Sequence, residues 1–187
     1  MNIIVKNKKE FDYAVAQKEA DYWMKVNFAL NGSFEMQYLD IPPKIIVEEY
    51  LEQQNGNLYD YKVHCFNGKP FCIQLIGDRN LVAHTGRQVF LDVDYKKEPF
   101  NFNDYPEYTV IPPKPENWSE IIAVAAKLAK PFNYVRVDLY SVNGKIYFGE
   151  MTFTPANGLY PDWMPENYDR EWGDMMKIPC ELRKQHS

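Results

Sequence analysis

Two carboxylates, Asp138 and Glu150, are the residues of this chain whose types and spacing are best suited to chemistry. They lie on two predicted strands joined at Asn143-Gly144, a dipeptide that strongly favours a β-hairpin. Because successive side chains of a strand point to opposite faces, the length of the turn decides whether the acids meet. A two-residue turn would separate them, whereas a three-residue turn with Gly144 in the left-handed conformation would bring them to one face.

The three-residue turn agrees better with the apolar pattern of the hairpin. It places the polar side chains on one face: Arg136, Asp138, Glu150 and Thr152. It turns the apolar side chains the other way, into the core: Val137, Leu139 and Met151. Two carboxylates and a hydroxyl on one face suit a hard cation such as Mg²⁺, which completes its shell with water and phosphate oxygens.

Two other interpretations of the acids stay open. A solvent-facing strand with an Arg–Glu ion pair is common and contributes little to stability. Two carboxylates could also form the acid and nucleophile pair of a glycosidase, and 14 Tyr and 4 Trp would suit sugar stacking, although cores use the same residues. No feature of the sequence sets the carboxylate separation that would distinguish these chemistries.

Composition narrows the class of protein. The 187 residues are enough for one hydrophobic core in one or two lobes, and a net charge of −5 argues against a nucleic-acid partner, which needs a basic face. Three cysteines (Cys65, Cys72 and Cys180) form no disulfide framework, which favours a reducing, cytoplasmic compartment, with Cys65 and Cys72 in the core. No apolar run approaches the roughly 20 residues of a membrane span, and no signal peptide is recognisable.

Hydrophobic periodicity and turn signals predict the elements that must position the acids. The predicted strands are 2–6, 44–51, 60–66, 70–76, 87–93, 134–142 and 145–153, with a hairpin turn at Asn67-Gly68 as well. The predicted helices are one helix or a broken pair over 8–27, the clear amphipathic helix 116–130 and a short helix near 166–176. Residues 94–115 read as a long ordered loop. Strands and helices mix without regular βαβ alternation, so the class is α+β.

The segment 135–155, VRVDLYSVNGKIYFGEMTFTP, strongly resembles the metal-binding hairpin of the ATP-grasp superfamily. In that hairpin an acid on one strand and a Glu at the end of the next bind magnesium, and Asp138 and Glu150 match both. The Asn that usually follows two residues later is replaced by Thr152. The resemblance implies that Asp138, Glu150 and Thr152 hold Mg²⁺.

Upstream, KIIVEEYL at 44–51 resembles the hinge strand of the same superfamily, whose backbone receives adenine. Glu48, Tyr50 and Leu51 occupy the adenine-facing positions, and Asp60 matches an acid on the ribose or polyphosphate side. The resemblance implies an ATP-grasp-like α+β fold. Residues 1–50 would be the remainder of a small α+β lobe ending in the hinge strand, and residues 51–187 a large lobe with an antiparallel sheet.

Over most of residues 2–178 the chain looks like the TupA-like ATP-grasp proteins of bacterial surface-polysaccharide (teichuronopeptide-type) biosynthesis. The matching stretches are IPPKIIVEEYL, DYKVHCFNGKP, GDR at 77–79, KPFNYVRVDLYSVNGKIYFGEMTFTP, and a tail with Trp163 and Gly173-Asp174. The resemblance implies a ligase that uses ATP and Mg²⁺. Such an enzyme joins a carboxylate to an amine or similar nucleophile through an acyl-phosphate, here on a carboxylate-bearing small molecule or glycan precursor.

Three cations would assist such chemistry. Lys62 could meet a phosphate as a point charge, and Arg136 could neutralise the transferring group or hold the acceptor carboxylate. Arg79 is a weaker candidate, and Lys62 and Arg79 could equally be solvated charges at a strand edge.

ATP-grasp proteins also carry a lysine strand and a Gly-rich loop that close over the phosphates, and the 187 residues contain no Gly-x-Gly. We therefore expect one of two arrangements. Either another segment or a partner chain supplies this N-terminal lobe, or the chain is a degenerate, non-catalytic ATP-grasp half that binds a nucleotide or glycan.

Overall fold

The computed structural model describes residues 2–30, 35–52, 57–80, 85–158 and 163–177. They fall into two compact units, Met1–Leu51 and Glu52–Ser187. Short helices and antiparallel strands mix along the chain, which confirms the α+β class. Among the described residues, no helix has both the length and the apolar content needed to cross a membrane.

The first unit is built around one helix, α1 (Tyr13–Trp23), within the predicted helical stretch 8–27. The side chain of Asp12 caps it by accepting a hydrogen bond from the backbone N–H of Val15 at 3.0 Å. Short 3-10 turns lie at Lys8–Glu10, Phe28–Leu30 and Met36–Tyr38. The structure describes every residue of α1, and none of them is buried.

The predicted strands at 2–6 and 44–51 are wrong. Both segments lie outside regular secondary structure, and in the part of the chain that the structure describes no other strand pairs with them. Ile46 and Val47 are 78% and 92% exposed. β-Branched residues favour an extended backbone, but a strand also needs a neighbouring backbone for its N–H and C=O groups.

The second unit contains a five-stranded antiparallel sheet in the order β3-β2-β1-β5-β6. Its strands are β1 (Asp60–Phe66), β2 (Lys69–Asn80), β3 (Thr85–Asp92), β5 (Tyr134–Val142) and β6 (Lys145–Thr152). A two-stranded sheet pairs β4 (Asn101–Phe102) with β7 (Trp163–Met164). Helices α2 (Trp118–Ala129) and α3 (Asn167–Met175) complete the unit. The predicted strands and helices from residue 60 onwards are confirmed, and the predicted loop 94–115 gains β4 and isolated bridges at Lys97 and Glu107.

One face of the sheet packs against α2 and forms the larger core. The apolar residues of α2 lie on one stripe, with Ile121 and Ala125 completely buried one turn apart. They meet alternate residues of the central strands, including Val63, Val137 and Leu139, all 0% exposed. This packing fixes which residues of β1 and β5 point away from α2, to the opposite face.

The opposite face is divided between an aromatic part and a charged part. The aromatic part is a cluster of buried residues beside α3: Phe66, Cys72, Phe90, Phe100, Phe102 and Trp172. Cys65 and Cys72 are both buried thiols, as predicted, and burial raises the pKa of each. Cys180 lies outside the described residues.

Candidate functional site

The turn between β5 and β6 has two residues, so the predicted three-residue turn is wrong. Val142 pairs with Lys145, and Asn143 and Gly144 both have positive φ, 51° and 76°. Two left-handed residues match the right-handed twist of the flanking strands, which is why Asn-Gly favours a two-residue connection. The expected left-handed conformation of Gly144 is confirmed.

Asp138 and Glu150 nevertheless lie directly opposite each other. The pairing is regular from Val142 as far as Leu139, which lies opposite Phe148, and resumes at the two acids with Gly149 left over. Gly149 is therefore the extra residue of a β-bulge, which restores the acids to one face after a two-residue turn.

Arg136 bonds to both acids and to Thr152. Its Nε donates to Oδ1 of Asp138 at 2.7 Å. Its Nη2 lies 2.8 Å from Oδ2 of Asp138, 2.9 Å from Oε1 of Glu150 and 3.0 Å from Oγ1 of Thr152. The four polar side chains predicted to share a face are thus in direct contact.

Lys62 extends this cluster onto β1, because its Cα partner on β5 is Asp138. Its Nζ forms salt bridges with Oδ2 of Asp138 and, at 3.0 Å, with Oδ2 of Asp60. Arg79 on β2 lies 3.5 Å from the same oxygen of Asp60. The result is a row of alternating cations and acids across four strands, here called the ion row: Arg79, Asp60, Lys62, Asp138, Arg136 and Glu150.

Burial differs along the ion row. Asp60 and Asp138 are each 1% exposed, whereas the side chain of Glu150 is 62% exposed. Burial raises the pKa of Asp60 above its usual value, although Lys62 opposes this. Burial would also raise the pKa of Asp138, but the charges of Lys62 and Arg136 outweigh it and hold that pKa below its usual range. Of these two buried acids, Asp138 is therefore the one more firmly held as an anion.

Sequence reasoning missed His64, the cross-strand neighbour of Arg136 on β1. His64 is 0% exposed, its Nδ1 lies 2.9 Å from the hydroxyl of Tyr134, and its Nε2 has no hydrogen-bond partner among the described residues. Burial, followed by the nearby charge of Arg136, lowers its pKa to about 3. The alternation of β1 placed His64 on the face of Lys62, but only packing could reveal its complete burial.

The residues predicted to face adenine lie in the first unit, apart from the ion row in sequence. Glu48 is exposed, Tyr50 is 41% exposed, and Leu51 is half-buried. The ammonium of Lys6 lies 5.2 Å from the centre of the Tyr50 ring, a cation–π distance. Asp60 belongs to the second unit and contacts two cations of the ion row.

The arrangement offers separate groups for anions and for cations. Lys62, Arg79 and Arg136 could meet a polyanion, and the carboxylates with Thr152 could meet a hard cation. Among the described residues, no group of three or more His, Cys, Asp and Glu side chains could hold a metal ion by itself. A cation here would therefore need water or ligand oxygens to complete its shell.

Comparison with known proteins gives one match. The family described as TupA-like ATP-grasp matches residues 1–177, which include both hairpins and every residue of the ion row. No protein of curated function and no solved structure matches the chain. Because the match covers far more than half of the sequence, the chain belongs to the TupA-like ATP-grasp family.

Proposed function

We propose that the ion row binds the phosphates of ATP together with a magnesium ion, as part of an ATP-dependent ligase. The observation that carries this proposal is the alternation of three cations and three acids on one face, with its central members buried. Such a row can exchange internal ion pairs for pairs with a bound polyanion and its metal. Membership of the ATP-grasp family supports the ligase-like assignment.

Asp138, Glu150 and Thr152 are the residues that would hold magnesium. Nη2 of Arg136 lies within 2.9 Å of an oxygen of each acid, so a positively charged atom already lies between the two carboxylates. Two carboxylates and a hydroxyl fit Mg²⁺, which retains several water and phosphate ligands. When bound, the ion would neutralise phosphate oxygens and help to orient them.

If Asp138 bound a magnesium ion, Lys62 and Arg136 would lose their ion pairs with Asp138 and become available to other anions. Lys62 would then meet a phosphate as a point charge, and Arg136 would form a bidentate pair with the transferring group or with the acceptor carboxylate. The side chain of Arg79 is 32% exposed, compared with 12% for Lys62 and 9% for Arg136. Arg79 is therefore the cation of the row that is most accessible to a ligand arriving from solvent.

For the ribose of the nucleotide we propose a contact from Asp60, which lies in the second unit. Oδ1 of Asp60 is buried and has no hydrogen-bond partner among the described residues. A buried oxygen of this kind is costly unless it accepts a hydrogen bond, and a ribose hydroxyl would supply one. The assignment of Glu48, Tyr50 and Leu51 to adenine is a proposal from the resemblance of their segment to the ATP-grasp hinge strand.

The proposed reaction activates a carboxylate. An oxygen of the acceptor carboxylate attacks the γ-phosphorus of ATP, ADP leaves, and an amine or similar nucleophile then attacks the acyl carbon and releases phosphate. The contribution of the ion row is to position the reactants and neutralise charge. By the resemblance of its motifs, we propose a carboxylate-bearing precursor of a bacterial surface polysaccharide as the acceptor, in the cytoplasm.

A non-catalytic module that binds a nucleotide or glycan is the second candidate. It is favoured by the ion pairs that already exist within the ion row, since Asp138 is paired with both Lys62 and Arg136. The two candidates differ in whether nucleotide binding requires the metal and leads to turnover.

Calorimetry with ATP and MgCl₂ tests the proposal. We expect weak binding, with Kd on the order of 0.1–1 mM, because the sequence has no Gly-rich loop to close over the phosphates. EDTA should abolish the signal, and Glu150→Gln should weaken binding about tenfold, since it removes one charged ligand. Because the Glu150 side chain is 62% exposed, this variant should fold normally.

Glu120→Gln, on the exposed side of α2, is the matched control and should bind as the wild type does. ATP binding that survives both EDTA and Glu150→Gln would reject the ion row as the nucleotide site. Absence of binding at millimolar ATP in a folded sample would favour a non-catalytic module that binds a glycan. Release of ADP on addition of carboxylate acceptors and amines would support the ligase.

A further inference from the structure

Gly149 is the residue of β6 that has no partner on β5. A regular ladder from the same turn would place it opposite Asp138, and would place Glu150 opposite Val137. Val137 is 0% exposed and packs in the core beside α2. Without the bulge, Glu150 would therefore point to the core face instead of the ion row.

A side chain at residue 149 would be crowded by its neighbours. Among the described glycines, positive φ occurs at Gly68, Gly144 and Gly158, so the backbone angles of Gly149 are open to other residues. A Cβ at this position, however, would lie 3.0 Å from the carbonyl oxygen of Asp138 and 3.1 Å from Cε2 of Tyr140. Both distances are shorter than ordinary van der Waals contacts.

The neighbouring backbone has little freedom to make room. β5 is an inner strand that pairs with β1 on one side and with β6 on the other, so the backbone of Asp138 is held between two neighbouring strands. A side chain at residue 149 would have to displace this backbone or move β6 away. The second response is less costly, because β6 is the edge strand of the sheet.

We infer that Gly149 is a positioning residue, whose bulge sets the register that brings the carboxylates of Asp138 and Glu150 together into one cation site. It acts through the two acids and does not itself touch a ligand. The role of the acids in holding a cation rests on the proposed function, whereas the register can be measured without any ligand.

Three variants separate register from general damage to the hairpin. Gly149→Val places a branched side chain against the Asp138 carbonyl, and Gly149→Ala does so more mildly. Deletion of Gly149 leaves Glu150 directly after Phe148, so a regular ladder pairs it with Asp138. Gly173→Ala is the control, because a Cβ at Gly173 in α3 meets nothing within 4 Å.

Two measurements are made on each variant: the backbone NOE between residues 138 and 150, and the affinity for Mn²⁺ by electron paramagnetic resonance. The deletion variant and the control should keep the NOE and bind Mn²⁺ within about threefold of the wild type. Gly149→Val should lose the NOE and bind Mn²⁺ at least about tenfold more weakly, with Gly149→Ala between them. A role confined to stability would instead weaken the deletion variant as much as the substitutions.

Gly149→Val with an intact NOE and unchanged Mn²⁺ affinity would overturn the inference, as would a deletion variant that keeps the NOE and loses the metal. If Gly149→Val does not fold, Gly149→Ala decides by the same two measurements. A wild-type protein that shows the NOE and binds no Mn²⁺ would remove the metal from the proposed function. The NOE comparison among the variants would then confirm or reject the register by itself.

Discussion

The β1–β2 and β5–β6 hairpins turn through the same dipeptide with nearly the same backbone. Asn67 and Gly68 have φ of 50° and 76°, and Asn143 and Gly144 have φ of 51° and 76°. Each hairpin also contains one bulge that shifts its pairing by one residue. The turns are thus equivalent, and the differences between the hairpins arise further along their strands.

The two bulges differ in position and in residue type. In the first hairpin, Cys65 pairs with Pro70 and His64 with Cys72, so Phe71 is the extra residue, close to the turn. Its ring packs 5.7 Å from the rings of both Phe66 and Trp172. In the second hairpin the extra residue is a glycine beside the acid pair. The bulge at Phe71 places a large side chain in the aromatic cluster, whereas the bulge at Gly149 brings Asp138 opposite Glu150.

Breaking the ionic link between the hairpins should have the largest effect. Asp138 belongs to the second hairpin and pairs with Lys62 of the first, and both are mostly buried. Asp138→Ala should lower the free energy of unfolding by about 3 kcal/mol, because it leaves Lys62 and Arg136 partly uncompensated. Glu150→Ala, with an exposed side chain, should cost less than about 1 kcal/mol. Equal losses of unfolding free energy for the two variants in urea would contradict a stabilising role for the buried Lys62–Asp138 ion pair.

Removal of the Phe71 side chain from the bulge of the first hairpin should have the next largest effect on the free energy of unfolding. Phe71→Ala should lower the free energy of unfolding by about 2 kcal/mol, less than for a fully buried phenylalanine because Phe71 is half-buried. Mn²⁺ affinity, measured in the same sample, should not change. A loss of Mn²⁺ affinity comparable to that of Gly149→Val would mean that the two bulges do not have separate roles.

Lowering the pH should act on the first hairpin through His64. Its pKa falls from 6.5 to about 3 on folding, so between these values the unfolded chain binds more protons and stability declines as the pH falls. The expected loss is about 1.4 kcal/mol per pH unit within that window. His64→Gln should remove this dependence. Asp60, whose pKa is raised, and Asp138, whose pKa is lowered, are present in both proteins, so the difference between the two pH profiles reports His64.

Matched substitutions in the two turns should give the smallest difference in the free energy of unfolding. Asn67→Ala and Asn143→Ala each force alanine into the left-handed region, at about 1 kcal/mol. Asn67 also donates to the carbonyl of Met175 at 2.8 Å and accepts from the N–H of Lys177 at 3.2 Å. Asn67→Ala should therefore cost about 1 kcal/mol more in urea unfolding. Equal costs would mean that these two bonds add nothing to stability.

The sequence by itself determined the five strands of the larger sheet and the helices α2 and α3. Alternation marked Val137 and Leu139 for the core and Asp138 for the other face, and the amphipathic stripe of α2 identified the helix that covers the core. These features depend on periodicity and on turn chemistry, which are local properties. The grouping of Asp138 with Glu150 was also predicted, but from a three-residue turn that the structure does not contain.

Only the tertiary structure decided how the acids meet and what surrounds them. The bulge at Gly149 depends on space between β5 and β6, and the burial of His64 depends on rings from distant segments, such as Trp172 at 4.8 Å. The segments 2–6 and 44–51, which were predicted as strands and are not strands, also show that local sequence does not decide tertiary pairing. Their apolar, β-branched residues favour an extended backbone, but strand formation requires hydrogen-bond partners elsewhere in space, and no local pattern encodes them.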